Sequence, residues 1–286
     1  MMGILEKTMS NMKLSKFELN IECKKIIEAL NTKQASSRFV GGFVRNYINN
    51  TNTKDIDIAT QLSPDEVIDI LSKVKIRVIP TGIKHGTVSA FINDQSFEIT
   101  TLRKEVRHDG RHSEVIFIDD WYEDASRRDF TINSIYINQN GEIYDPFNGI
   151  EHLNDKRIIF IGEPEKRINE DYLRILRYYR FLAIYDSPAE QKTRLIIKKN
   201  AEKITKLSRE RIHEEFFKIL ENDITGKIIN LHEDGILDIL FSASVDICTF
   251  NRMKDIDDEL SFDKDIMLRF ASVSYTHLRA HETPLY

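Results

Sequence analysis

The chain has 286 residues, 41% hydrophobic and 30% charged, with a formal net charge of −5 at neutral pH. That length can build one large core or two to three small ones, and that balance belongs to an ordinary globular protein rather than a disordered one. The acidic sum does not mark a nucleic-acid binder, and no apolar run reaches the roughly 18–20 residues of a membrane span.

From the N-terminus, Lys7, Lys13 and Lys16 are interleaved with Glu6, Glu18 and Glu22. No apolar signal core follows, so a non-secreted, cytoplasmic protein is expected. Cys23 and Cys248 lie far apart without the paired spacing of a zinc site, as befits a reducing compartment. Residues 16–31 place Leu19, Ile26, Ile27 and Leu30 at helical spacing. The stretch RFVGGFVRNYI (38–48) breaks at Gly41-Gly42 and resumes as a short helix, and KDIDIAT (54–60) alternates as a strand does. Ser63 and Pro64 cap and open a helix over 64–73. KIRVIP, GTVSAFIN and QSFEITTL read as strands, the last two joined by a turn at Asn93-Asp94.

After Asn154 helical patterns dominate. Pro164 opens one helix, and residues 171–184 continue as another, with Leu173, Ile175, Leu176 and Leu182 as its apolar side. LSRERIHEEFFKILEN (207–222) spaces Ile212, Phe216, Ile219 and Leu220 by three and four behind a Ser208 cap. GKIINLHEDGILDILF (226–241) repeats the pattern. A mixed α/β head followed by helices predicts an α+β architecture.

The chemistry concentrates at Asp55 and Asp57. Residues i and i+2 of a strand share a face, so both carboxylates point one way while Ile56 and Ile58 enter the core. Two close carboxylates repel, and Mg²⁺, held by few carboxylates plus substrate phosphates, relieves that repulsion. Taken alone, the pattern equally fits a half-buried strand with solvated aspartates. Gly41-Gly42 lets the backbone approach an anion closely, with Arg45 one turn into the helix, although a glycine pair alone is also a plain tight turn. Local basic runs occur at 103–112, with four Lys/Arg and two His, and at 166–180, with Lys166, Arg167, Arg174, Arg177 and Arg180.

Together these residues carry a resemblance. RFVGGFVRNYINNTNTKDIDIAT (38–60) resembles the nucleotidyltransferase signature of the DNA polymerase β superfamily, in its class II branch of tRNA CCA-adding enzymes and bacterial poly(A) polymerases. In order, TGIKHGTV, DASRRDFTIN, DPFNGIEHL, EDYLRILRYYRF and LSRERIHEEFFK are similar to further motifs of that branch, so the resemblance spans roughly 36–240. KHGTV (84–88) looks more like the CCA-adding members. Asn46 and His152 depart from the acidic residues common at those positions.

The resemblance implies a template-independent transferase that adds C, C and A to the 3′ end of tRNA from CTP and ATP. Asp55 and Asp57 would hold two Mg²⁺ ions, with Glu98 as a third candidate ligand. Gly41, Gly42, Arg45 and Arg128 would hold the triphosphate, and Asp129 is expected to fix Arg127 or Arg128 by a salt bridge. Asp171 and Arg174 would read the base, from one polar stripe of a helix that also carries Arg177 and Arg180, which would face the triphosphate or the RNA backbone. Cytosine and adenine both present an amino donor beside a ring-nitrogen acceptor, whereas uracil and guanine present the reverse. A carboxylate acceptor beside a guanidinium donor therefore matches the first pair and leaves polar groups unpaired against the second. The resemblance also places residues 109–112 in a flexible element governing the switch from C to A. A poly(A) polymerase and a catalytically silent RNA-binding relic remain the rival readings, and oligomeric state is open.

The expected domains are a helical extension at 1–35, a head at 36–153, a neck at 154–206 and the start of an RNA-binding body at 207–272. Residues 273–286 show no helical or strand periodicity and resemble a translated sequencing-library adapter, so they are expected to be a non-native tail cutting the body short.

Overall fold

The first helix, α1 (Ile21–Leu30), begins where the Asn20 side chain accepts the Cys23 N–H, and it buries Cys23, Ile26, Ile27 and Leu30. Strand β1 (Ser37–Val40) then runs directly into α2 (Gly41–Ile48), and β2 (Asp55–Thr60) follows. Helix α3 (Pro64–Lys73) carries a full capping box, with Ser63 accepting the Glu66 N–H and Glu66 reaching back. Next come β3 (Arg77–Gly82), β4 (Thr87–Ile92), β5 (Gln95–Thr101), β6 (Arg103–His108) and β7 (Ser113–Phe117). Helix α4 (Trp121–Ser126), short strands β8 (Tyr136–Ile137) and β9 (Ile143–Tyr144), and α5 (Gly149–Asn154) complete the first of two units, Met1–Asp155. This computed structural model describes residues 13–14, 17–31, 36–51, 55–108, 113–223, 226–242, 245, 247–260 and 265–279.

Seven strands form one mixed sheet in the order β3-β4-β5-β2-β1-β8-β9, in which β2 and β5 are parallel and the other pairs antiparallel. Strand alternation sorts its faces. Ile56, Ile58, Phe97, Ile99, Val88 and Phe39 pack with α1 and α3 in the larger core. Val40, Ala59 and Tyr136 face the other way and join Leu102 and Ala125 in a smaller cluster, against which Trp121, Tyr144 and Phe147 pack. The β6–β7 hairpin was not expected from the sequence. The stretch RKEVRH (103–108) is polar at all but one position, so no alternation announces it. The basic loop at 109–112 lies outside the described residues.

The start of α5 is tightly packed. Asp145 accepts the N–H groups of Gly149 and Ile150, at 2.7 and 2.9 Å. A Cβ on Gly149 would come 2.3 Å from the Thr131 carbonyl oxygen. Backbone cannot yield as a flexible side chain does, so Gly149→Ala should destabilise the chain by about 2 kcal/mol or more. Urea unfolding checks this, and a midpoint equal to the parent's at unchanged slope refutes it.

The second unit, Lys156–Tyr286, is helical: α6 (Pro164–Glu170), α7 (Leu173–Tyr185), α8 (Gln191–Asn200), a 3₁₀ turn at Ala201–Lys206, α9 (Arg209–Asn222), α10 (Ile228–Glu233), α11 (Ile236–Phe241), α12 (Cys248–Leu260) and α13 (Ile266–Arg279). Helix α7 is buried nearly all round, through Arg174, Ile175, Leu176, Tyr178, Tyr179, Phe181 and Leu182. Asp234 ties the unit together by accepting from Tyr179 Oη at 2.6 Å and from Arg194, with Lys198 3.1 Å away. The patterned stretch 226–241 splits into α10 and α11 because Gly235 takes a left-handed conformation, with φ 72°. Contrary to expectation, residues 273–279 are helical as the end of α13, with Val273 fully buried. Among the described residues no helix is long and apolar enough to cross a membrane.

Candidate active site

The sheet register assembles the site. Asp57 lies opposite Glu98 on β5 and opposite Val40 on β1, and Asp55 lies opposite Ser96. Asp55, Asp57 and Glu98 therefore share the face turned away from the larger core. Burial pushes the Glu98 carboxyl upward, and the negative charges of Asp57 and Asp55 push the same way against Arg103. Burial likewise raises Asp57, opposed by Arg128, the Gly42 N–H and Arg45. Three hard oxygen donors in mutual repulsion fit a divalent cation. Among the described residues, however, no three His, Cys, Asp or Glu side chains converge tightly enough to form a metal cluster.

The glycine pair approaches Asp57 closely. Gly41 has φ +67°, and a Cβ there would stand 2.9 Å from Asp57 Oδ2. The Gly42 N–H donates to the Asp57 carboxylate. The anion that this turn cradles in the structure is thus Asp57 itself. Arg45 donates to Asn133 Oδ1, and Asn133 Nδ2 donates to Asp129 Oδ1 at 2.6 Å.

Arg128 is anchored differently from expectation. The carboxylate that pairs with both arginines is Asp124, 2.7 Å from Arg127 Nη2 and 3.2 Å from Arg128 Nη2. Asp129 instead accepts the Phe130 N–H and the Asn133 amide. Asp124 starts three and four residues before the arginines along α4 and its C-cap, so helical geometry favours it over the adjacent Asp129. It also accepts from Tyr136 Oη at 2.8 Å and from the Arg103 N–H at 3.3 Å. Arg128 Nε donates to that same tyrosine oxygen at 3.0 Å. The sequence reading missed Asp124, Tyr136 and Asn133, although the i,i+3 and i,i+4 spacing of Asp124 was a usable signal.

Asp171, Arg174, Arg177 and Arg180 belong to the second unit, and the stripe expected of them is not what forms. Asp171 is not helical: it ends α6 in an extended conformation (φ −152°, ψ 110°) and accepts the Leu173 N–H at 3.1 Å. Its other oxygen pairs with Arg211 of α9 at 2.8 Å. Arg174 is buried, 2.6 Å from Glu170, and donates to the Arg167 carbonyl oxygen at 2.7 Å. Arg180 pairs with buried Glu215 at 3.0 Å. Arg177 lies over the Phe181 ring, 5.7 Å from its centroid. Because α7 is buried nearly all round, Arg174 and Arg180 meet protein carboxylates rather than a solvated face.

Residues 37–159 match the family model described as the poly A polymerase head domain, and residues 189–246 match one described as the probable RNA and SrmB-binding site of polymerase A. The chain belongs to the poly A polymerase head-domain family. It is similar to CCA tRNA nucleotidyltransferase 1, mitochondrial, of Homo sapiens, at 42% identity over 74% of this chain and 50% of that protein. It is also similar to the CCA-adding enzyme of Lactobacillus helveticus, at 40% identity over 70% of this chain and 49% of that protein. Among solved structures, the Bacillus stearothermophilus CCA-adding enzyme in complex with CTP superposes with a TM-score of 0.70 at 33% identity, covering 78% of this chain and 54% of that one. The mixed α+β architecture of this chain is thus the one that solved relative shares. The chain spans about half the length of the curated relatives it matches.

Proposed function

We propose that the chain is a template-independent nucleotidyltransferase that adds C, C and A to the 3′ end of tRNA from CTP and ATP, releasing pyrophosphate. The observation that carries this reading is the pairing of Asp57 with Glu98 across β2 and β5, beside the Gly41-Gly42 turn and under Arg128 and Arg45. Asp55 and Asp57 would hold Mg²⁺, with Glu98 as the further ligand. When bound, the cation supplies charge neutralisation at the phosphates and lowers the pKa of the attacking 3′-hydroxyl. The Gly42 N–H holds the Asp57 carboxylate in its orientation, and Arg45 and Arg128, each fixed by protein partners, meet the triphosphate charge. Pre-set donors contribute through positioning and electrostatics, which dominate phosphoryl-type transfer. Free thiols at Cys23 and Cys248 suit a cytoplasmic setting.

The test is incorporation of each of the four labelled nucleotides, with Mg²⁺, onto a tRNA lacking its terminal CCA. Addition that stops after C, C and A supports the reading. Long A tracts make the chain a poly(A) polymerase, and no incorporation, by this chain or by one extended to its relatives' length, makes it a silent binder.

Base choice is proposed to lie with Asp171 and Arg174. The Asp171–Arg211 bridge is partly exposed, with side-chain exposures of 33% and 44%, so it is a weak pair that a base edge can displace. Arg174, held by Glu170 and the Arg167 carbonyl, keeps its donors in a fixed direction. Asp171→Ala should cut the preference for CTP and ATP over UTP and GTP by about 10²-fold or more while shifting triphosphate affinity only a few-fold. Competition assays with mixed nucleotides read both, and unaltered rejection of UTP and GTP would refute the role.

A further inference from the structure

One guanidinium on the carboxylate face is used by neither the fold's ion pairs nor the proposed chemistry. Arg38 lies on β1 two residues before Val40, which places it on the same face as Asp57 and one step along the strand, opposite Ala59. Its guanidinium carbon sits 4.2 Å from the Trp121 ring centroid and 5.2 Å from that of Tyr144. Among the described residues it makes no ion pair and no side-chain hydrogen bond, and Glu142 acts on it only at a distance. Aromatic faces therefore hold the cation while its hydrogen-bond donors stay available.

The surroundings extend this into a platform. One cross-sheet row runs from Asp57 through Val40 and Tyr136 to Tyr144. At the usual strand spacing that row puts Tyr144 about 14 Å from Asp57, roughly the length of four stacked nucleotides, with Val40 and Tyr136 buried between them. Beyond it Tyr122, 53% exposed, lies over Phe147 with ring centroids 5.2 Å apart. The carboxylates bordering the patch are already engaged. Asp120 caps α4, Glu123 pairs with Lys104 at 2.8 Å, and Asp145 accepts the α5 N–H groups. Arg38 is then the local charge available to an incoming anion.

We propose that Arg38, Trp121 and Tyr144, with the exposed ring of Tyr122, receive the single-stranded 3′ end of the RNA substrate, Arg38 contacting its backbone and Tyr122 stacking on a base. This inference rests on the transferase reading, which requires a 3′-hydroxyl at the carboxylate row and the nucleotides before it within reach of that row. An incoming triphosphate is less suited to the patch, because the cations that act on Asp57 are Arg45 and Arg128 rather than Arg38. Stacking onto aromatic rings is tolerant of base identity and fits a substrate whose last bases change during the reaction.

The full chain should be titrated, without nucleotide or metal, against a 5′-fluorescent RNA stem bearing a four-nucleotide 3′ overhang and against the same stem blunt-ended. The wild type should prefer the overhang. Tyr122→Ala should weaken overhang binding about 5- to 100-fold, and Tyr122→Phe should restore it. Arg38→Gln should weaken it and lower the salt dependence by about one phosphate contact. Blunt-stem affinity should stay level in all three variants. An unchanged preference for the overhang in Tyr122→Ala and Arg38→Gln overturns the proposal, as does a wild type without that preference. A loss confined to binding of CTP or ATP reassigns the patch to the nucleotide and overturns it too. A wild type that binds overhangs through Tyr122 yet incorporates nothing would defeat the transferase reading alone.

Discussion

Asp57→Ala is expected to lower nucleotide incorporation at least about 10³-fold while leaving the fold intact. The carboxylate is the meeting point of the site: the Gly42 N–H donates to it, Arg128 and Arg45 act on it, and Glu98 lies across the strand pair. Its removal deletes a proposed cation ligand, and transition-state stabilisation by a bound metal amounts to several kcal/mol, each 1.36 kcal/mol being tenfold in rate. The neighbours of its backbone, Ile56 and Ile58, carry the core packing and are untouched. Single-turnover incorporation with CTP, alongside urea unfolding, separates the two effects. Activity within tenfold of wild type in a normally folded variant would remove Asp57 from the chemistry. Asp55→Ala, tested alongside, should lose activity too, since it shares the face.

How much of this was legible in the sequence depends on the range of each interaction. Asp55 and Asp57 could be read because an i,i+2 relation on a strand is local, and the isoleucines between and after them fix which way they point. Ser63, Pro64 and Glu66 were equally legible as a helix start, since a cap is settled within four residues. Glu98 could be named as a candidate, but its place opposite Asp57 needed the parallel pairing of β2 with β5, whose partners lie 41 positions apart and whose register no local pattern encodes. Arg180 and Glu215 illustrate the same limit in the second unit. Asp171 failed differently. KRINEDYLRIL contains no proline or glycine, so nothing local keeps Asp171 out of the second helix, yet Asp171 is extended and its carboxylate is held by Arg211 from α9. A break made by a tertiary partner leaves no mark in the segment it breaks.

The largest stability effect should come from Asp124→Ala. This carboxylate has a side chain only 1% exposed and accepts from Arg127, Arg128, Tyr136 and the Arg103 N–H. Removing it leaves two guanidinium groups, 17% and 16% exposed, without their counter-charge. Breaking one side of a buried pair costs about 3–5 kcal/mol. Arg128 would also lose the contact that aims it, so triphosphate binding should weaken in any protein that still folds. Asp124→Asn keeps the shape and one acceptor, and should recover part of the loss. The same group sets an acid limit. Burial pushes its carboxyl up, but Arg128, Arg127 and the Tyr136 hydroxyl outweigh burial and hold it at about 2. That lies below the unfolded value of about 3.9, so on acidification the unfolded chain takes up the proton first. The stabilisation, roughly 2 kcal/mol, is fully present above about pH 4 and is lost as pH falls towards 2. Unfolding free energies between pH 6 and pH 3 should therefore fall less steeply in Asp124→Asn than in the wild type. Parallel curves for the two proteins would show that Asp124 carries no depressed pKa, and with it no paired charge beneath Arg128.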